Sequence, residues 1–192
     1  MTALETDKLT FEDVQGALEI LRKNKIRTYY PDRGPTRREL YTKHLSVFEA
    51  GTKFMERLVL GGNRTGKTES IGCYETSVHA TGRYPEWWPG RKFERPTDIW
   101  VVGKTGETTR DILQRALCGP VGQLGTGMLP ADSIVHTTAK AGIANAIDTL
   151  WVRHASGGMS TIGFKSYGRD RDSFEGTKRG FVYLDEEAPK DV

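Results

Sequence analysis

Eight residues constrain this chain more than any others. Gly61-Gly62-Asn63-Arg64-Thr65-Gly66-Lys67-Thr68 fits the pattern G-x-x-x-x-G-K-[ST] in full. The apolar run Leu58-Val59-Leu60 stands before it and a helical pattern over residues 67–80 follows. Glycines at these spacings let a backbone curl until successive N–H groups point at one place, and the N-terminus of a helix adds partial positive charge there. Such a loop suits phosphate oxygens. Lys67 is placed for the β- and γ-phosphates of a nucleoside triphosphate, and the Thr68 hydroxyl for Mg²⁺. A strand, a phosphate loop and a helix in that order predict an α/β fold.

A second pattern supports this reading. In Phe181-Val182-Tyr183-Leu184-Asp185-Glu186 four apolar residues run into two acids, as in a buried strand that delivers carboxylates to the edge of a sheet. Placed opposite a phosphate loop, Asp185 holds Mg²⁺ and Glu186 polarises the attacking water as general base. The adjacent second acid favours ATP hydrolysis over kinase or GTPase chemistry.

Other segments supply an ordinary domain around these two. Strand-like runs lie at 57–61, 98–103, 149–154, 160–165 and 181–185, with helical patterns at 67–80 and 107–117 between them. Alternation of this kind predicts a mostly parallel sheet covered on both faces, a three-layer arrangement. The runs 149–154 and 160–165, joined by Ala155-Ser156-Gly157-Gly158, read instead as a hairpin. Residues 81–97 and 119–130 are too rich in proline or glycine for regular structure. Ahead of the first strand, Thr10 and Asp13 have the form of a capping box. The helix that follows, residues 11–24, carries an apolar stripe of Phe11, Val14, Leu18 and Leu21. A second helix is predicted over 36–50, ending at Gly51, with Leu40, His44, Val47 and Phe48 facing inward.

Composition excludes several classes. With 192 residues, 36% of them hydrophobic and 28% charged, the chain is sized for one globular domain. No run approaches the roughly 20 apolar residues of a membrane span. The start, MTALETDKLTFED, is polar and acidic, unlike a secretory signal. Cys73 and Cys118 make no disulfide framework, so a reduced intracellular setting is expected. Charge is uneven: residues 1–20 carry a local −4 and residues 22–44 a local +6. The basic stretch suits either a polyanion partner or a solvated surface.

Longer segments carry a specific resemblance. They are Tyr41-Thr42-Lys43-His44-Leu45, Phe48-Glu49-Ala50-Gly51, the phosphate loop, and Thr81-Gly82-Arg83-Tyr84-Pro85-Glu86-Trp87-Trp88-Pro89-Gly90-Arg91. Further on come Gly106-Glu107-Thr108-Thr109-Arg110-Asp111, Ser173-Phe174-Glu175-Gly176-Thr177 and Leu184-Asp185-Glu186-Glu187. Across most of residues 37–188 the chain resembles the N-terminal ATPase domain of the large terminase subunit of tailed bacteriophages. The resemblance implies an additional-strand, RecA-like phosphate-loop NTPase fold, with 1–51 as a helical N-terminal extension and 52–192 as the ATPase domain. It implies binding and hydrolysis of ATP with Mg²⁺, coupled to translocation of double-stranded DNA into procapsids. Implied partners are the portal protein and the small terminase subunit, with a homo-oligomeric ring on the procapsid. The setting is the host cytoplasm rather than the mature virion, with no membrane.

Residue by residue, the resemblance assigns Gly61, Gly62, Asn63, Arg64, Thr65, Gly66, Lys67 and Thr68 to the triphosphate, Asp185 to Mg²⁺ and Glu186 to catalysis. Arg64 in cis, or Arg110 across a subunit boundary, is the arginine for the γ-phosphate. Tyr41 and His44 are placed on the adenine, or else pack their helix on the core. Family members continue beyond the acidic strand with a coupling strand and a nuclease domain, so this chain is expected to be a fragment truncated after that strand. The missing strand belongs between the loop strand and the acidic strand, which predicts a gap with two unpaired edges. Two other functions fit the same motifs: a helicase-like DNA-dependent ATPase, and a nucleotide-binding fragment without turnover.

The remaining features divide between function and packing. Trp87 and Trp88, with Tyr84 and Phe93 among Arg83, Arg91, Lys92 and Arg95, either face DNA or pin a long loop to the core. His79, His136 and His154 show no ligand spacing, and Arg169-Asp170-Arg171-Asp172 reads as a solvated loop. Cys73 reads as packing.

Overall fold

A computed structural model describes residues 10–167 and 178–187. Residues 1–9, the 169–172 charge run and the 173–177 motif lie outside the described residues.

Five strands form one mixed sheet: β1 Asp98–Gly103, β2 Ile134–Ala139, β3 Ile147–Arg153, β4 Met159–Ser166 and β5 Phe181–Leu184, in the order β2-β3-β4-β1-β5. β1 pairs parallel with β4 and with β5, whereas β2–β3 and β3–β4 are antiparallel. The expected hairpin of β3 and β4 is present. The mostly parallel sheet is not, because half of the pairings are antiparallel. The strand missing from the sequence reading, β2, extends this antiparallel half as an edge strand. Its residues Ile-Val-His-Thr-Thr-Ala are partly or wholly exposed, so they show no alternation of apolar and polar residues to read.

Helical cover lies on one face. Ile99 and Val101 of β1 and Ile162 and Phe164 of β4 join the main core, together with Tyr74, Val78, Leu113 and Leu117 from the helices. Trp100 and Val102 point the other way and meet Tyr167 in a small second cluster. Among the described residues no helix adds a buried apolar side chain to that cluster.

The helices are α1 Phe11–Lys23, α2 Lys25–Thr28, α3 Thr42–Ala50, α4 Tyr74–Thr81, α5 Gly106–Thr108 and α6 Arg115–Cys118. Thr10 and Asp13 cap α1 reciprocally, as expected, but α1 buries no residue and its stripe is exposed. The predicted 36–50 helix is broken. A 3₁₀ turn at Arg38–Leu40 ends at Tyr41 (φ −104°, ψ 45°), and α3 starts after it. Leu40 therefore faces outward at 54% exposure, while Phe48 is fully buried. α4 and α6 are each entered through a π-helical stretch, Lys67–Cys73 and Thr109–Gln114.

The expected strand at 57–61 makes no ladder among the described residues: the segment has no regular structure, with Leu58 84% and Leu60 83% exposed. A strand gains its stability from a partner, and here the sheet ends at β5 with no described strand between it and this segment. Tyr30 and Phe48 share one core with Val101 and Phe164, so the part of the chain from Ile26 to Phe48 packs on the same interior as the sheet. Trp88, buried to 5%, tilts against Phe48 at 4.6 Å, so the 81–97 loop is pinned to the core.

Candidate functional site: a glycine-rich loop facing an acidic strand end

At Gly66 the backbone adopts φ 82°, a conformation suited to glycine. A Cβ there would also lie 2.5 Å from Ser70 Oγ and 3.3 Å from His44 Cε1. That turn hands the chain from the loop to the π-helical stretch. Inside the loop, Lys67 Nζ donates to the carbonyls of Gly61 and Gly62, both at 2.7 Å, and Thr65 Oγ1 donates to Gly62 O at 2.9 Å. Arg64 is exposed with φ 62°.

Across from the loop, β5 ends at Asp185. Thr68 Oγ1 donates to Asp185 Oδ1 at 2.9 Å, joining two residues 117 positions apart. Tyr183 Oη donates to the same oxygen at 2.5 Å. Burial and the nearby carboxylate push the Tyr183 phenol far above its ordinary range, so it remains a donor. Its ring lies where a Cβ on Gly72 would fall, 2.1 Å from Cζ, so Gly72 makes room for it. Glu186 follows with φ 71°, and its carbonyl accepts from Tyr167 Oη at 3.1 Å. Burial first, then Asp185 and Glu186, raise the Tyr167 phenol. Sequence reasoning missed Tyr167 and Tyr183, although Tyr183 lies inside the acidic-strand pattern.

Two hard oxygen donors, Thr68 Oγ1 and Asp185 Oδ1, meet at one point beside the loop. Such a donor set fits Mg²⁺, which binds through one or two carboxylates and keeps several waters. Beside the loop lies a cleft of about 710 Å³ that reaches Lys67 and Thr65 and is lined by Val47, Phe54, Val59 and His44. Its size suits a small-molecule ligand.

The other expected residues are placed as follows. His44 lies at the loop, with Nε2 3.1 Å from Thr65 O and Nδ1 2.8 Å from Tyr30 Oη, and Tyr41 stacks on it at 5.3 Å between ring centres. Arg110 is engaged with its own surroundings: Nε donates to Asp111 Oδ1 at 2.7 Å and another nitrogen to Ala144 O at 3.0 Å. The hydrogen bond to Asp111 raises the Arg110 guanidinium. No contact brings Arg110 to the loop among the described residues.

The structure thus defines an α/β domain in which a glycine-rich loop and helix meet an acidic strand end. Residues 58–192 match the family described as "Terminase large subunit, T4likevirus-type, N-terminal". The chain is also 32% identical over 172 residues to the large terminase subunit of Salmonella phage P22, covering 79% of this chain and 34% of that protein. It therefore belongs to the phage large terminase subunit family, and it spans about a third of the length of this relative. No solved structure matches.

Proposed function

We propose that this chain is the nucleotide-binding part of a DNA-packaging motor, a phosphate-loop ATPase that drives duplex DNA into procapsids in the host cytoplasm. One observation carries the reading: the 2.9 Å contact between Thr68 and Asp185, which brings the two candidate Mg²⁺ ligands together from distant parts of the chain. Family membership supports the same conclusion. Portal protein, small terminase subunit and further copies in a ring are the partners this reading entails.

The residues act as follows. Loop N–H groups of residues 61–68 receive the triphosphate oxygens, and the Lys67 ammonium exchanges its two carbonyl partners for β/γ oxygens. The adjoining cleft receives the base and sugar. Thr68 and Asp185 would hold Mg²⁺, which neutralises charge gathering on the transferring phosphoryl group. Glu186 takes the proton from the attacking water. Arg64, within the loop, is the nearer arginine for the γ-phosphate; Arg110 would have to leave Asp111 to serve.

A second reading, nucleotide binding without turnover in this chain, is favoured by the segment ahead of the loop, which pairs with no described strand. A loop strand paired in the sheet would fix the loop against Glu186, and among the described residues this segment pairs with no strand. Phosphate release from ATP, with and without duplex DNA, separates the readings when the chain is compared with Lys67→Ala. Turnover lost in the variant supports the motor reading. Mg²⁺-dependent ATP binding that the variant abolishes, with no turnover in either, supports the second. Nucleotide affinity unchanged in Lys67→Ala sinks both. DNA binding through the basic residues should weaken steeply with salt.

A further inference from the structure

Four contacts tie the segment before the loop to the loop and to the start of its helix. Lys25 pairs with Glu69, Tyr29 Oη lies 2.7 Å from Ser70 Oγ, Tyr30 Oη donates to Ser70 O at 2.8 Å, and His44 Nε2 meets Thr65 O at 3.1 Å. A carbonyl only accepts, so His44 donates from Nε2 to Thr65. Thr65 and Ser70 bracket Gly66, Lys67 and Thr68. The brace therefore grips the chain on both sides of the phosphate-binding turn.

The π-helical stretch explains why Ser70 is available. The Tyr74 amide bonds to Glu69 O, five residues back, and to Ile71 O, so it passes over the Ser70 carbonyl that an α-helix would have used. The Tyr30 hydroxyl takes up that carbonyl. Tyr30 itself is fixed: it is buried to 4% and set edge-on to Tyr41, Phe48, Tyr74 and Trp87. The same hydroxyl lies 2.8 Å from His44 Nδ1, so the two grips adjoin at one oxygen, whose single proton serves either the Ser70 carbonyl or that nitrogen.

We infer that Tyr30 and His44 are positioning residues for the phosphate loop, acting through the Ser70 and Thr65 carbonyls and not through contact with a nucleobase. The inference rests on the proposed nucleotide site and adds to it how the loop is held. It also changes the role of His44. Both ring nitrogens are engaged with protein groups and one face is covered by Tyr41, which leaves the imidazole occupied with the loop.

Two probes separate this from a role at the base: ATP with Mg²⁺, and inorganic tripolyphosphate with Mg²⁺, both titrated by calorimetry against the 192-residue chain. Tyr30→Phe keeps the ring and removes only the hydroxyl. It should weaken both ligands by the same factor, about fivefold for one lost hydrogen bond. His44→Ala should weaken both by about tenfold, and His44→Gln, whose amide N–H reaches toward Thr65 O, should recover most of that loss. Loss confined to ATP, or affinities unchanged while the thermal midpoint falls, overturns the inference.

Hydrogen exchange of residues 61–68 in the ligand-free protein gives an independent readout, and it should quicken in both Tyr30→Phe and His44→Ala. If exchange quickens but the parent chain binds neither probe, the brace stands and the nucleotide site falls. If Lys67→Ala abolishes binding while the Tyr30 and His44 variants bind and exchange like the parent, the site stands and the brace falls.

Discussion

Arg64 at φ 62°, Glu186 at φ 71° and Asn145 at φ 59° are the non-glycine residues with left-handed backbones among the described residues. Two of the three fall in the candidate site. A side chain in that region costs roughly 1–2 kcal/mol, and such cost tends to be kept where a function needs the geometry. Glu186 turns the chain directly after β5, at the point where the acids leave the sheet, and Tyr167 holds its carbonyl there. Glu186→Gly should therefore stabilise the chain, by about 0.5–1 kcal/mol once the greater freedom of glycine in the unfolded chain is subtracted. The urea midpoint should rise while ATP turnover, where present, disappears. A midpoint that falls would mean that the Glu186 side chain contributes more to folding than its backbone costs.

At the scale of elements, α4 is buried along its whole length and carries ionisable groups into the interior. Arg57 lies 3.0 Å from Glu75 Oε1, His79 Nε2 lies 3.4 Å from it, and Tyr84 Oη is 2.9 Å from His79 Nδ1. Arg57 thereby fastens the chain just ahead of Leu58-Val59-Leu60 to the helix that follows the loop. Arg57→Met would leave Glu75, 3% exposed, without its cation. We expect a loss of about 3 kcal/mol in that variant and a partial return in Arg57→Met with Glu75→Gln, both read from denaturant unfolding. Burial outweighs Glu75 and holds the His79 imidazole below its ordinary 6.5. The unfolded chain then binds the extra proton first as pH falls, so this stabilisation is complete above 6.5 and is lost as pH drops toward the native value. In His79→Gln the slope of stability against pH just below 6.5 should flatten. His154, also held low by burial, adds slope of the same sign.

Local signals made several of these elements legible: the capping box at Thr10, the β1 run, the β3–β4 hairpin and the acids after β5. The contact of Thr68 with Asp185 follows from two motifs that could each be read separately. Features set by tertiary partners were not readable. Leu58-Val59-Leu60 has the pattern of a strand but pairs with none of the described strands, β2 is an edge strand without alternation, and a π-helical turn has no sequence period of its own. The part played by Tyr30 depends on a carbonyl released by that turn, so nothing in its neighbours along the chain announced it.

For the molecule as a whole, the described helices cover the sheet on one face. β4, β1 and β5 run parallel, yet β5 is an edge among the described residues, and Val182 and Leu184 on its sparsely covered face are 43% and 55% exposed. They lie in register with Trp100 and Val102, the second small cluster. Leu58 and Leu60 add a separate exposed apolar run. An open edge beside apolar side chains is a template for pairing with another chain, and charge placed on it is the usual remedy. The 192-residue chain should therefore self-associate, its weight-average mass in sedimentation rising with concentration. Val182→Lys with Leu184→Lys should hold it closer to the monomer at the same loading. Neither residue touches the hydrogen bonds of Thr68, Lys67 or Asp185 described above, so nucleotide affinity should persist in the soluble variant. A parent chain that stays monomeric throughout would show that the edge is shielded from pairing. Association unchanged in the double variant would move the contact elsewhere, with the exposed stripe of α1 the next surface to charge.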